Sequence, residues 1–271
     1  MLDGKVAVVL GASAEEGSGW AIAEALAEAG AKVVVGARSE APLKRLAAKI
    51  DGTAVVCNAC IEDDVRRMAQ TALDRYGRLD VAVNSAGATT MGLVADTTDA
   101  NLDGALRLNF YGNFYFVKHM AAAMHDGGSI VIVSSLSTTH PIVPNFAYAA
   151  AKSATDCLVR YAALEYGPRN IRVNSILPGP IVSDMARDFL GNPEVAKAFL
   201  KEIPLRRMGY PRDYANACLW LAGPAYVTGL NIPLCGGLQL ERFPHLDELP
   251  GGGAAWEGQG ATLYDREKPK R

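Results

Sequence analysis

Two hydrophobic rhythms alternate along the chain. Short apolar runs recur at Lys5–Leu10, Lys32–Gly36, Thr53–Cys57, Leu79–Val83, Gly128–Val133 and Ile171–Ile176. These runs are continuous rather than alternating, as in strands buried on both faces of a parallel sheet. Between them lie stretches with helical spacing: Trp20–Ala29 closed by Gly30, Pro42–Ile50, Glu62–Tyr76 stopped by Gly77, and Ala147–Tyr166. Asp99–Met124 reads as one long helix. Helical stretches at about 184–202 and 212–222 precede a last strand at about 229–235. Strand and helix take turns at short intervals, which implies right-handed βαβ units. The expected fold is α/β: a single doubly wound (Rossmann) domain with a seven-stranded parallel sheet flanked by helices.

Composition narrows the function classes. The 271 residues are 49% hydrophobic and 21% charged, with a formal net charge of -2. That is ordinary for a soluble globular chain. There is no basic surplus to suggest nucleic acid, and no apolar run reaches the roughly 18 residues of a membrane span. The opening Met1-Leu-Asp-Gly-Lys5 lacks the basic-then-apolar order of a signal peptide, so a cytoplasmic location is expected. Five scattered cysteines make a disulfide framework improbable. Cys57 and Cys60 have the spacing of a redox or zinc half-site, but no second pair accompanies them. They read as core or loop residues at the end of a buried strand.

Candidate chemistry begins after the first strand. Gly11-Ala-Ser-Ala-Glu-Glu-Gly17-Ser-Gly19 opens the first helix, where Gly lets a backbone approach a pyrophosphate and the helix N-terminus favours an anion. The second strand ends in Gly36-Ala37-Arg38, where an acid would meet a ribose 2′-hydroxyl and a cation a 2′-phosphate. The acid is missing, so NADP(H) is favoured over NAD(H), with Arg38 as the 2′-phosphate ligand. Tyr148 and Lys152 stand four apart on a helix and therefore share a face. A cation near a phenol lowers its pKa and makes a proton donor and acceptor for near-neutral pH. From residue 241, Pro and Gly punctuate a polar tail, so 1–240 reads as the dinucleotide-binding domain and 241–271 as an extension in which Trp256, Leu263 and Tyr264 are candidate anchors.

Together these residues resemble the short-chain dehydrogenase/reductase family over about Asp3 to Leu240. The motifs follow in the family's order: the Gly-rich turn, Asn84-Ser85-Ala86-Gly87, Leu108-Asn109, Ser134-Ser135, Tyr148 with Lys152, Asn174 to Gly179, Pro204 to Gly209, and the closing Gly236-Gly237. Departures are a longer first turn, Leu10 for the usual Thr, Asn58 for an Asp, and Cys235 for the Asp before the last Gly pair. The enoyl reductases that share this fold space their Tyr and Lys seven apart; here that position is Asn145. The resemblance implies a hydride transfer between NAD(P) and a hydrophobic secondary alcohol or ketone. Tyr148 is then the acid/base, Lys152 its modulator, Ser135 the donor to the substrate oxygen, and Asn109 the anchor of a proton-relaying water. It also implies a cofactor bound by Gly11, Ser13, Gly17, Gly19, Asn58, Ala59, Asn84, Ala86, Gly87, Pro178, Gly179, Ile181 and Ser183. Leu136, Phe146, Met185 and Phe189 are expected at the substrate, with 184–202 as a lid and His140 as a loop residue. A homo-oligomer, tetramer or dimer, is usual for the family. A 3-oxoacyl thioester reductase and a catalytically silent cofactor-binding regulator are the alternatives.

Overall fold

Every side chain of the first strand, β1 (Val6–Leu10), is buried. The reason is visible in two cores. Val6, Val8 and Leu10 enter one, Ala7 and Val9 the other, so the strand has no polar face to spare. The structure, a computed structural model, describes residues 1–182 and 190–250. The remaining strands are β2 (Lys32–Ala37), β3 (Thr53–Val56), β4 (Val81–Asn84), β5 (Gly128–Val133), β6 (Ile171–Pro178) and β7 (Asn231–Leu234). They form one parallel sheet in the order β3-β2-β1-β4-β5-β6-β7.

Three helices, α1 (Ser18–Glu28), α2 (Glu40–Lys49) and α8 (Pro211–Ala222), cover one face. The other is covered by α3 (Glu62–Tyr76), α5 (Gly112–Ala123) and α6 (Phe146–Tyr166). Two more helices lie outside these layers: α4 (Asp99–Leu106) packs on the start of α6, and α7 (Pro193–Glu202) packs on Leu136 and Cys235, just after β5 and β7. The order reverses between β1 and β4, and in a doubly wound sheet that switch point opens the ligand crevice.

Two local expectations change. β3 is not a buried strand: it is the edge of the sheet, paired only with β2, and Val56 is exposed. Asp99–Met124 is not one uniform helix either. Between α4 and α5 lies a π-helical segment, Arg107–Tyr111. Such a bulge leaves carbonyls without their usual partners. Here the Asn109 carbonyl accepts from Asn113 Nδ2 at 2.8 Å and from Thr155 Oγ1 at 2.6 Å, so α6 helps to hold the distortion.

A third, smaller core lies beside the site. Leu136, Val195, Phe199, Ile203, Met208, Cys235 and Leu238 form it, with Ile142, Phe243 and Leu249 packed against it. The segment after β7 thus crosses α7: the Phe243 ring meets Phe199 edge-on at 6.1 Å, and Arg242 pairs with Glu248 at 2.6 Å. Trp256, Leu263 and Tyr264 lie outside the described residues.

Candidate active site

The carboxyl ends of β1, β4, β5 and β6 deliver the candidate residues to one edge of the sheet. Gly11 follows β1 with φ +89°, and a Cβ there would stand 2.4 Å from the Ala86 nitrogen. Only glycine fits that conformation and approach. At the start of α1, a Cβ on Gly19 would meet the Gly11 carbonyl oxygen at 2.2 Å, which fixes turn and helix closely together. The N-cap Gly17 has no side chain to satisfy the first-turn N–H groups, and no acid lies in that turn. Those amides suit an anion. Arg45 of α2 draws Glu15 of the same loop into an ion pair, Nε to Oε1 at 3.0 Å. Ser13 is half-buried in the turn.

Arg38 is exposed at the end of β2. Glu40, the nearby acid, pairs with Lys44 at 2.7 Å. After β3, Asn58 shapes a turn: its Oδ1 accepts from Cys60 N at 3.1 Å and its own N–H donates to Asp64 Oδ2 at 2.9 Å. Ala59 is buried against Gly112. After β6, Gly179 passes so close to Cys235 that a Cβ would lie 2.7 Å from its Cβ. Ile181 then bridges to Gly209.

At the centre, Lys152 is only 2% exposed, and its Nζ donates to the Val133 carbonyl at 2.8 Å. Nζ lies 5.7 Å from the centre of the Tyr148 ring. Burial lowers the Lys152 pKa to about 8, with the charge of Asp156 opposing it. The Tyr148 phenol is pushed upward by burial, and a hydrogen bond with Ser135 only partly offsets this. This corrects the expectation from spacing alone. In the protein by itself desolvation is the largest cause, and the charge of Asp156 adds to it. Ser135 also caps a short turn, Leu136–Thr138, accepting from Ser137 N at 3.2 Å.

Asn109 donates from Nδ2 to the carbonyls of Ala88 and Ala105, each at 3.1 Å. Its Oδ1 is buried without a partner. A methyl group on Gly87 would stand 3.2 Å from that oxygen and 3.3 Å from Lys152 Nζ. The orphaned acceptor and the amine therefore face one spot at hydrogen-bonding distance from each.

Some expected residues behave differently. Leu136 is fully buried inside the third core, so it backs the site rather than lining it. Phe146 is 43% exposed at the start of α6. Ser183, Met185 and Phe189 lie outside the described residues, as does much of the 184–202 stretch before α7. His140 is held in its loop by the Gln239 carbonyl, 2.9 Å from Nε2. Cys57 is buried and its thiol is pushed up to about 12 by burial. No group of three potential metal ligands occurs among the described residues.

Sequence reasoning missed the scaffold beneath these groups. Asn84 Nδ2 donates to Asn113 Oδ1, and Asn84 Oδ1 accepts from Ala86 N at 2.9 Å. Asn113, Thr155 and Asp156 are all buried polar residues. The available signal was a polar residue on a buried helix face, four positions after Asn109 or three and four after Lys152.

The orphaned oxygen, the uncapped helix start and the tight glycine turn at the switch point fit a bound dinucleotide. Comparison with known proteins agrees. A family model described as enoyl-(acyl carrier protein) reductase matches residues 11–239. The 7alpha-hydroxysteroid dehydrogenase of Clostridium sardiniense is 37% identical over 251 residues, covering 88% of this chain and 95% of that protein. A solved short-chain type dehydrogenase/reductase from Mycobacterium ulcerans superposes with TM-score 0.87 at 29% identity, over 91% of this chain and 94% of that one. A 7 alpha-hydroxysteroid dehydrogenase solved with NADH and 7-oxo glycochenodeoxycholic acid gives TM-score 0.81 at 33% identity, over 87% and 94%. The chain belongs to the short-chain dehydrogenase/reductase family and is an NAD(P)-dependent oxidoreductase acting on a secondary alcohol or its ketone.

Proposed function

We propose that the protein interconverts a bulky hydrophobic secondary alcohol and its ketone, uses NADP(H) in preference to NAD(H), and employs Tyr148 as acid and base. The observation that carries this reading is the buried Lys152 ammonium beside a phenol that Ser135 already touches. The nicotinamide, when bound, supplies or accepts the hydride. Every other step belongs to side chains of this chain.

In reduction, Ser135 and Tyr148 donate hydrogen bonds to the carbonyl oxygen, stabilising charge as it develops there. Tyr148 then gives up its proton to that oxygen. Lys152 makes the phenolate affordable by standing near it as a buried cation, whose field is strong because water is excluded. Asn109 Oδ1 and Lys152 Nζ both face Gly87; a water held there by donating to Oδ1 would pass a proton to Lys152, which in turn restores the Tyr148 proton. In oxidation the same groups run in reverse.

Gly11, Ser13, Gly17 and Gly19 hold the pyrophosphate, Asn58 and Ala59 flank the adenine, and Asn84, Ala86 and Gly87 line the ribose side. Pro178, Gly179, Ile181 and Ser183 are the residues we assign to the nicotinamide. Arg38 selects the 2′-phosphate, because no acid competes at the end of β2. The bulky apolar substrate is supported by the relatives that act on hydroxysteroids and by the third core next to Ser135. The lid assigned to 184–202 and the substrate contacts of Met185 and Phe189 belong to the same proposal.

A second copy of the chain is the partner we assign to the outer faces of the π segment, α5 and α6, where Tyr111, Phe114, Tyr161 and Leu164 are exposed. The test of the whole reading is a panel of ketones, from short aliphatic to fused-ring, followed by reduced-cofactor absorbance with NADPH and NADH in parallel. Turnover should favour the fused-ring members and NADPH. Cofactor binding without turnover of any ketone would instead mark a silent regulator.

A further inference from the structure

One side-chain hydrogen bond crosses the carboxyl end of the sheet. His140 Nε2, in the loop after β5, lies 2.9 Å from the carbonyl oxygen of Gln239, in the segment after β7. β6 stands between those two strands in the sheet. The bond therefore spans the strand end from which Pro178, Gly179 and Ile181 leave, the residues assigned to the nicotinamide.

Each end of the bond is tied to a group of the site. On one side, the His140 backbone N–H donates to the Leu136 carbonyl at 3.0 Å. His140 thus closes the short turn that Ser135 caps. On the other side, the Gln239 side-chain oxygen accepts from the Cys235 thiol, and Cys235 lies against Gly179. Leu136 and Cys235 also share the third core underneath. The turn that presents Ser135 and the strand end that holds Gly179 are linked through His140.

The acceptor sets the direction of the bond. A carbonyl has no proton to give, so Nε2 carries one, and Nδ1 of the neutral ring is left to accept. Thr139 Oγ1 lies 3.0 Å from Nδ1 and 3.3 Å from the Leu136 carbonyl, which joins the ring a second time to the same turn. Between Ser135 and α6, the stretch from Leu136 to Asn145 holds one short turn and no other regular element. An anchor from outside the loop is what gives it a fixed place.

We propose that His140 is a positioning residue for the reaction: its Nε2–H bond to Gln239 sets the separation between the Ser135 donor and the residues that hold the nicotinamide. This rests on the roles given to Ser135 and to the strand end after β6, and adds a residue that touches neither substrate nor cofactor. Hydride transfer needs the two reacting carbons held near contact, and a misplacement of about 1 Å can cost about 10²-fold in rate.

The experiment compares three variants. His140→Phe keeps a ring and removes the donor. His140→Gln puts an amide N–H where Nε2 stands. His140→Asn puts one near Nδ1 instead, and replaces the Phe variant should that one not fold. The single-turnover rate of hydride transfer to a ketone, the ketone KM, and the Kd of reduced cofactor from its fluorescence are measured for each. In the Phe and Asn variants hydride transfer should slow roughly ten- to a hundredfold while the cofactor Kd barely changes. The Gln variant should recover most of the loss. Native hydride transfer in His140→Phe, a loss that Gln does not recover, or a loss that Kd or KM alone accounts for would make His140 an ordinary loop pin and overturn the proposal. One readout needs no substrate: the ring ¹⁵N shifts report which nitrogen carries the proton, and a ring protonated at Nδ1 alone overturns the proposal directly. A native protein with Nε2–H in place that reduces no ketone overturns the functional reading first and the proposal with it, so the two failures are distinguishable.

Discussion

Asn84, the last residue of β4, donates from Nδ2 to Asn113 Oδ1 of α5 at 2.8 Å, and both side chains are buried. The bond joins the strand that leads into Ala86 and Gly87 to the helix that follows Asn109. Asn113 in turn donates to the Asn109 carbonyl, so one amide side chain serves both the cofactor edge and the π segment. Asn113→Leu keeps the size but leaves Asn84 Nδ2 without its acceptor, while the Asn109 carbonyl keeps only the Thr155 hydroxyl. Unsatisfied buried polar groups cost about 1–3 kcal/mol each. The variant should therefore lose roughly 1–3 kcal/mol in urea unfolding, and kcat should fall together with cofactor affinity because Asn109 and Gly87 shift as one unit.

Tyr148→Phe removes one hydroxyl from a half-buried ring and disturbs little packing. General acid–base catalysis contributes about 10²–10⁴ in rate. The variant should lose turnover by about that factor while reduced-cofactor binding, read by fluorescence, changes little. Near-native turnover would dismiss Tyr148 as the proton donor.

Lys152 links activity to stability through pH. Its folded pKa, about 8, lies below the ordinary lysine value of 10.5. Below about pH 8 the native state must carry a buried charge, and this lowers stability. Between about 8 and 10.5 the unfolded chain binds a proton that the native chain has released, so stability rises with pH. The whole effect is roughly 3 kcal/mol. In Lys152→Met the penalty vanishes, but the Val133 carbonyl loses its donor at a cost of about 1–3 kcal/mol. The two nearly cancel at pH 7, so the sharper readout is the slope. Urea unfolding of the native protein should gain stability from pH 8 to 10 relative to the variant, while the variant is inactive throughout. Equal slopes would show that the amine is not desolvated as described.

Much of this was legible in the amino-acid order. β1, β2, β4, β5 and β6 are readable because a strand buried on both faces needs no polar alternation. The turn from Gly11 to Gly19 is readable because close backbone approach excludes every other residue type there. The edge position of β3 was not, since Thr53–Val56 is as apolar as an inner strand and only topology exposes it. The π segment was hidden because its support, Thr155, is forty-six positions from Asn109. Asp156 and Asn113 were hidden for a similar reason: a polar residue on a helix declares neither its burial nor its partners. The direction of the Tyr148 shift was misread because spacing brings the amine near but says nothing of how much water both groups lose.

Arg38 bears on cofactor choice. It is exposed at the end of β2, while Glu40 is engaged by Lys44. A charge-assisted hydrogen bond to phosphate contributes about 1.5–3 kcal/mol. Arg38→Ala should raise the KM for NADPH by roughly ten- to a hundredfold and leave that for NADH nearly unchanged. An unaltered ratio between the two cofactors would remove Arg38 from the site.

Phe243 ties the segment after β7 to α7. Its ring meets Phe199 edge-on, and Phe199 is buried in the third core with Leu136, the residue after Ser135. Arg242 and Glu248 flank the contact with a bidentate ion pair, Nη1 to Oε2 at 2.6 Å and Nη2 to Oε1 at 2.9 Å. The two interactions differ in weight. The ion pair is exposed to water and screened by salt, so its net contribution is small. The ring removes apolar surface from water and adds an aromatic contact, together about 2 kcal/mol for a partly buried Phe. Phe243→Ala should therefore lower Tm by several degrees, and Arg242→Gln should barely move it. Because α7 loses a neighbour, KM for fused-ring ketones should rise more than that for short aliphatic ones, with kcat less affected. A larger thermal effect from Arg242→Gln than from Phe243→Ala would show that charge, not the ring, holds this segment to the helix.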